Sequence, residues 1–417
     1  MSGWFGMGNL GDELILQSIV LQLRSKIRNL TVTVLSERPY QLQDDYGLPS
    51  LRSTGRRLDT VRRIIAISRA DLFILGGGGI LMDYGRGDTN ISKWLKDMEI
   101  AQKLRVHNMT WGIGVGRIWT DTSETWVKRV LAKADSVSVR DSGSALALSR
   151  LGIKENVTVT CDSALMLPDL NEFEGKRAER LGRKDKPSIL VCLRRWYVDG
   201  NWTHDEKVFN DVKSSLAELL SYLFRTKGAL VTFVPLRTEE MKKDDDREVE
   251  NEVRSKIDAS CPTTLIDRVP SSREFMRLVS ESDLMIGMRL HSLIVASAIG
   301  VPCIGLSYDD KVSNYMMSVG AGDWTLSMEG VNFESLRRLA EDALNGAYPV
   351  DSVKRQISAR KESALAEVDG AIALIGGAKS PRPRTWQFLD ALGLSIKAIL
   401  APRQRTGTAQ DSRQKGG

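Results

Sequence analysis

The chain opens MSGWFGMGNLGDELIL (residues 1–16), and what this stretch is decides what the rest can be. Gly6, Gly8 and Gly11 satisfy G-x-G-x-x-G, the turn that joins the first strand of a doubly wound α/β domain to its first helix. The helix follows at once, because LILQSIVLQLRSKI (14–27) carries apolar residues at helical spacing. The strand is nearly missing: Met1–Phe5 is either its stub, or the natural start lies further upstream. Asp12 and Glu13 are unexpected. They stand at the helix N-terminus, where a dinucleotide would put its pyrophosphate. The helix dipole favours carboxylates there, by about 0.3–1 kcal/mol each, and carboxylates repel phosphate. Either they only steady the helix, or the loop serves something other than a dinucleotide. Glu37, just after TVTVL (31–35), is the acid that an NAD site would need.

Outward from this loop, strand-length apolar runs alternate with amphipathic segments. TVTVL (31–35), DLFILGGGG (71–79), MTWGIGVG (109–116), DSVSVR (135–140) and VTVTCDS (157–163) read as strands. The polar stretch NEFEGKRAERLGRKDKP (171–187) reads as a linker. A second set begins at SILVCLRR (188–195) and continues with ALVTFVPL (229–236), LIDRV (265–269), DLMIGM (283–288) and PCIGLSY (302–308). DDDREVENEVRSK (244–256) reads as a charged surface helix or loop. The pattern gives two Rossmann-like doubly wound α/β domains, 1–170 and 188–376, facing a cleft. Beyond them, 377–400 holds an amphipathic helix with Trp386, Phe388, Leu389, Leu392, Ile396 and Ile399 on one face. It packs back onto a domain or lies on a membrane surface. Residues 401–417 read as a disordered tail.

The 417 residues are 42% hydrophobic and 27% charged, which suits a soluble globular protein and exceeds one ordinary core. No run reaches the roughly 20 apolar residues of a membrane span, and the N-terminus has no signal-peptide pattern. Cys161, Cys192, Cys261 and Cys303 are far apart, without a CxxC or Cys/His pair. Reduced thiols, a cytoplasmic location and no metal are expected. The net charge of +6 suits anionic ligands or an acidic membrane face. The basic residues are dispersed, which excludes a nucleic-acid reader.

Two further signals carry chemistry. GGGGILMD (76–83) lets a ligand or another backbone approach closely, or is only a tight turn. The second signal is cationic. Arg140 ends one strand, Arg194 and Arg195 end another, and Arg289 ends a third, two residues before His291. SLIVASAIG then reads as a short helix closed by Gly300 and Pro302. Cations at a helix N-terminus oppose its dipole unless an anion is bound between them. Arginine also matches phosphate and carboxylate with two-pronged hydrogen bonds. Each arginine alone could be an internal ion pair, with Asp141 the obvious partner of Arg140. Together they suggest one cleft for a small, densely anionic substrate. His291 is the best acid/base candidate among three histidines, because imidazole titrates near neutrality.

GNLGDELIL (8–16), ILGGGGILMD (74–83), WGIGVG (111–116), SVRDSGS (138–144), CDSALMLP (161–168) and MRLHSLIVASAIGVPCIGLSYDDKV (288–312), in this order, resemble the polysaccharide pyruvyl transferase family, including its CsaB-type bacterial members. The resemblance covers roughly residues 3–320, and MRLHS is its most discriminating block. It implies a GT-B-like fold and a transferase that moves the pyruvyl group of phosphoenolpyruvate to two hydroxyls of a sugar, forming a ketal in a cell-wall polymer or exopolysaccharide precursor. Phosphoenolpyruvate would be a co-substrate, with no cofactor. By resemblance, Arg140, Arg289 and His291 hold the donor, joined by Arg194 or Arg195 and by Lys311. Asp12 would be the base for the acceptor hydroxyl. Asn9, Gly77, Gly78 and Asp83 would complete the acceptor side. A lipid-linked acceptor would bring the protein to the inner membrane face. The alternatives are a GT-B glycosyltransferase using a nucleotide sugar, an NAD-dependent Rossmann enzyme, and a non-catalytic sugar-binding module.

Overall fold

The N-terminal stub takes a strand's place in the first sheet through a single residue. The computed structural model describes residues 1–83, 90–180, 186–196, 206–238, 245–377 and 390–395. In it Ser2 bridges Leu35 on one side and Leu75 on the other, both in parallel. Its N–H donates to the Ile74 carbonyl (2.9 Å), and its own carbonyl accepts from Gly76 N–H (2.8 Å).

The strands of the first half are β1 (Val34–Ser36), β2 (Ser50–Arg52), β3 (Leu72–Leu81), β4 (His107–Val115), β5 (Val137–Val139) and β6 (Val157–Val159). They alternate with α1 (Leu10–Lys26), α2 (Pro39–Tyr46), α3 (Arg57–Arg69), α4 (Asn90–Lys103), α5 (Asp121–Leu131) and α6 (Ser142–Arg150). Through Ser2 the pairs join as β2-β1-stub-β3-β4-β5-β6. After α7 (Asp169–Arg180), the second half runs β7 (Ser188–Cys192), α8 (Glu206–Lys227), β8 (Leu230–Phe233), α9 (Asp246–Arg254), β9 (Thr263–Leu265) and α10 (Ser272–Ser280). It continues with β10 (Leu284–Gly287), α11 (Leu290–Ile299), β11 (Cys303–Ser307), α12 (Asp310–Ser318), β12 (Thr325–Ser327) and α13 (Phe333–Leu344). A last long helix, α14 (Val350–Gly376), closes the series. The second sheet is ordered β12-β11-β10-β7-β8-β9, and every strand pair described in both sheets is parallel.

Both sheets therefore have the doubly wound order, with the earliest strand central and later strands added on either side. Strand order reverses beside that first strand, and the crevice at its carboxyl end is where such sheets bind ligands. In the first sheet the reversal lies between the stub and β3, under the start of α1. In the second it lies between β7 and β10, from which Arg194 and Arg289 emerge.

Four sequence expectations change. The four glycines are strand, as read at 71–79, and not a tight turn: β3 runs through them to Leu81, with a register shift after Gly78 (φ +84°). Most of the expected linker is helix α7, which buries Leu170 and Phe173. Its many charges do not prevent docking, because one apolar stripe is enough to dock a helix. The charged stretch 244–256 is not a mere surface element, since Asp246 and Glu250 on α9 are buried. The strand expected at 265–269 is displaced to β9, so it shares only Leu265.

The C-terminal helix α14 packs against both halves, touching α11 and also β4. Its Glu367 is buried and accepts from Ser138 Oγ of β5. All four cysteines are free and buried. No helix among the described residues is long and apolar enough to cross a membrane. Of the expected C-terminal helix, 390–395 is helical, with Ala391 buried in the N-terminal core and Leu392 exposed. Trp386, Phe388, Leu389, Ile396, Ile399 and the tail 401–417 lie outside the described residues.

Candidate active site

The start of α1 is organised by its own side chains. Asn9 is the N-cap: Oδ1 accepts from Gly11 N–H (3.4 Å) and Nδ2 donates to Asp12 Oδ2 (2.5 Å). Gly6 N–H donates to Glu13 Oε1 (2.6 Å). The glycine turn thus presents its amide to an internal carboxylate, in the place a pyrophosphate would need. Burial pushes the Glu13 carboxyl up to about 8, against the pull of that amide. This resolves the unexpected acids: Glu13 anchors the loop, and Asp12 faces the cleft.

α1 is pressed against the second half. Leu10 N–H donates to the Leu236 carbonyl (2.9 Å). A Cβ on Gly11 would stand 2.1 Å from His291 Nδ1. Only glycine lets the helix start meet that imidazole. Gly78 passes under the same point, where an added Cβ would come within 2.9 Å of Asp12 Oδ1. Gly77 instead receives Ile15 of α1, so its role is packing.

His291 belongs to the first turn of α11, the helix capped by Arg289. Its Nε2 lies 3.6 Å from Asp162 Oδ1, beyond hydrogen-bond length, and is buried without a hydrogen-bond partner. Asp162 follows β6, so this pair spans the two halves. The other oxygen of Asp162 accepts from Arg140 Nη1 (3.2 Å), whose Nε reaches Asp141 Oδ2 (3.3 Å). Burial raises the Asp162 carboxyl, but His291 and Arg140 outweigh it and hold it at about 2. Burial likewise raises Asp12; His291, Asn9 and Arg237 offset it only partly, so its pKa stays above the ordinary carboxylate value.

A second cluster faces the first from the second half. Arg194 Nη1 donates to Tyr308 Oη (2.9 Å), and its guanidinium lies 4.7 Å from the ring centroid. Lys311 Nζ lies 4.9 Å from the same centroid and 3.5 Å from Asp309 Oδ2. Burial would raise the Tyr308 phenol, yet the two cations pull it below the ordinary tyrosine value. Arg140, Asp162, Lys311, Leu290 and Tyr315 line one pocket, joined by Arg360 of α14.

Besides Gly77, three expected site residues are placed otherwise. Asp83 is fully buried, and its carboxylate accepts from Trp119 N–H (2.7 Å), Thr120 N–H (3.2 Å) and Ser123 Oγ (2.6 Å). It fastens the start of α5 and is no acceptor residue. Arg195 turns to Glu248 (2.9 Å) and Glu252 (3.4 Å) of α9, away from Arg194's ring contact. Arg289 is buried and grips both oxygens of Asp246 through Nε and Nη2. Its plain alternative, an internal ion pair, is what the geometry contains, with a partner 43 residues away that no local pattern reveals. Asp162, Tyr308 and Arg360 are site residues that the sequence patterns do not mark out. Asp162 and Tyr308 lie inside quoted motifs, just after strands, and that position was the available signal. Arg360 lies outside every motif.

The sequence matches the family model described as polysaccharide pyruvyl transferase over residues 9–310. The chain belongs to the polysaccharide pyruvyl transferase family. That stretch contains Asp12, Arg140, Asp162, Arg194, His291 and Tyr308, and it makes the protein a member of a transferase family whose acceptors are glycans. A search of curated proteins finds no match. Among solved structures, a putative UDP-N-acetylglucosamine 2-epimerase from Listeria monocytogenes superposes with TM-score 0.60 at 12% identity, over 92% of this chain and 97% of that one. The UDP-GlcNAc 2-epimerase from Methanocaldococcus jannaschii gives 0.54 at 16% identity, over 84% and 96%. The glycotransferase of kitacinnamycin gives 0.50 at 9% identity, over 90% and 98%. At such identities these neighbours establish the fold, which is GT-B-like, with two α/β domains.

Proposed function

We propose that this pyruvyl transferase uses phosphoenolpyruvate as donor and builds a cyclic ketal on a glycan. The observation that carries the reading is the meeting of two unlike clusters at one crevice. Acid/base groups, the buried Asp12 and Asp162 and the half-buried His291, face cations, Arg140, Arg194 and Lys311. A donor with phosphate and carboxylate needs the cations, and proton transfer at carbon needs the others.

In this reading Lys311 and Arg194 hold the phosphate and Arg140 the carboxylate. His291 protonates the methylene carbon, which becomes the methyl group, while Asp12 takes the proton of the first sugar hydroxyl as that oxygen bonds to the central carbon. The carbon–oxygen bond to phosphate then breaks. The second hydroxyl closes the ring, and its proton leaves with the phosphate. Fixed cations around the departing phosphate supply the main stabilisation, because they need no reorganisation as charge develops. Cell-wall and exopolysaccharide precursors remain the acceptor classes, with no cofactor needed for the balance.

The test is calorimetric titration of phosphoenolpyruvate into wild type and Lys311→Ala. Binding by wild type that weakens at least tenfold in the variant supports the reading. A nucleotide sugar or NAD binding in its stead would sink it.

A further inference from the structure

We propose that the edge of the first sheet around β2 is a docking surface for an anionic lipid bilayer. The surface is defined by topology. Ser36 of β1 pairs with Arg52 of β2, and Ser53 N–H donates to the Ser36 carbonyl (2.8 Å). The two chains therefore leave the sheet side by side, carrying Arg38 and Tyr40 on one and Arg52, Arg56, Arg57 and Leu58 on the other. Arg62 follows one turn along α3. All of these side chains are exposed.

Three features favour a bilayer over an ordinary solvated face. Tyr40 is 74% exposed and Leu58 is 58% exposed, which makes them two of the three most exposed large apolar side chains among the described residues. They stand amid arginines, and aromatic and leucine side chains within a basic surface are what the headgroup region takes up. Among the described residues, the nearby carboxylates are engaged or set back. Asp59 accepts from Arg56 N–H (3.0 Å), Glu37 pairs with Lys93, and Asp44 and Asp45 lie about 6 Å further along α2 at 1.5 Å per residue. The place also fits. Parallel strands stand about 4.8 Å apart, so the carboxyl end of β2 is roughly 10 Å from the stub beneath Asp12, on the same edge of the sheet. A glycan held at Asp12, as the proposed function has it, would lie within roughly 10 Å of that rim. The inference does not depend on the donor.

The experiment is co-sedimentation of the full chain with vesicles of phosphatidylcholine alone and of an equal mixture with phosphatidylglycerol, at low and high salt. Wild type is expected to bind the anionic vesicles only, and to release in salt. Each arginine near an anionic surface is worth about fivefold in binding, so Arg52→Ala/Arg56→Ala/Arg62→Ala together should weaken it by about a hundredfold. Leu58→Ser should weaken it at low salt with every arginine in place, which a purely ionic contact would not show. An unchanged thermal midpoint guards against misfolding of these exposed-site variants. Equal binding of triple variant and wild type overturns the proposal. So does absence of binding to anionic vesicles, and so does binding of heparin or RNA through the same arginines without vesicle binding.

Discussion

Arg289 and Lys311 look alike in sequence, each a cation near the start of a helix, and the structure separates them. Arg289 is enclosed with Asp246, and removing one partner of such a pair strands a buried charge at a cost of about 3–5 kcal/mol. Arg289→Ala should therefore lower stability by that amount in denaturant titration, and its loss of activity would say little about donor contact. Lys311 is partly open and stacked on Tyr308. Lys311→Ala should leave the denaturation midpoint nearly unchanged while the donor dissociation constant rises. Glu13 offers a sharper test. Its folded pKa of about 8 lies above the ordinary value of 4.5, so its contribution to stability is full below about 4.5 and is lost as pH rises through about 8. Glu13→Gln keeps an oxygen for the Gly6 amide and cannot ionise. The stability gap between variant and wild type should widen in the variant's favour from pH 5 to 8, followed by denaturant unfolding. A flat gap would mean the carboxyl is ionised throughout.

Among elements, the start of α1 matters most, because it touches β3 below and α11 across the cleft. Glycine inside a helix ordinarily costs about 0.5–1 kcal/mol against alanine. Gly11→Ala should reverse that, since the new Cβ would overlap His291. We expect no gain in thermal midpoint and a fall in kcat of tenfold or more, with donor affinity less affected. This contact was invisible in the sequence. G-x-G-x-x-G set the turn correctly and suggested a phosphate, whereas the third glycine makes room for an imidazole some 280 residues away. The strand–helix alternation itself was legible, because period-two and period-3.6 patterns are local. The glycine run was legible only in part: it reads as strand to Gly79, but four residues without side chains give no period to separate strand from turn beyond it.

At the scale of the molecule, α14 ties the two halves together. Its Glu367 reaches Ser138 under β5, and burial pushes that carboxyl to about 7 although Ser138, Thr160 and the Gly112 amide hydrogen-bond to it. Glu367→Ala removes a buried acceptor and should cost about 1–3 kcal/mol. Hydrogen exchange should quicken along α14 and β5, while β10 and β11 keep their protection. Uniform loss of protection would instead mean that the two halves unfold as one unit.

By itself the sequence determined the α/β class, the doubly wound repeat in each half, the family, and the location of Arg140 at a strand end and of Asp12 and His291 at helix starts. These follow from patterns a few residues long, or from motifs in order. Only the tertiary structure decided which charges are partners. It gave Arg289 to Asp246, Arg195 to α9 and Asp83 to α5, and it brought Asp162 to His291 and Arg194 and Lys311 to Tyr308. The physical reason is that a charge acts over a few ångströms of space, and the chain distance between the groups that meet there leaves no trace in local sequence.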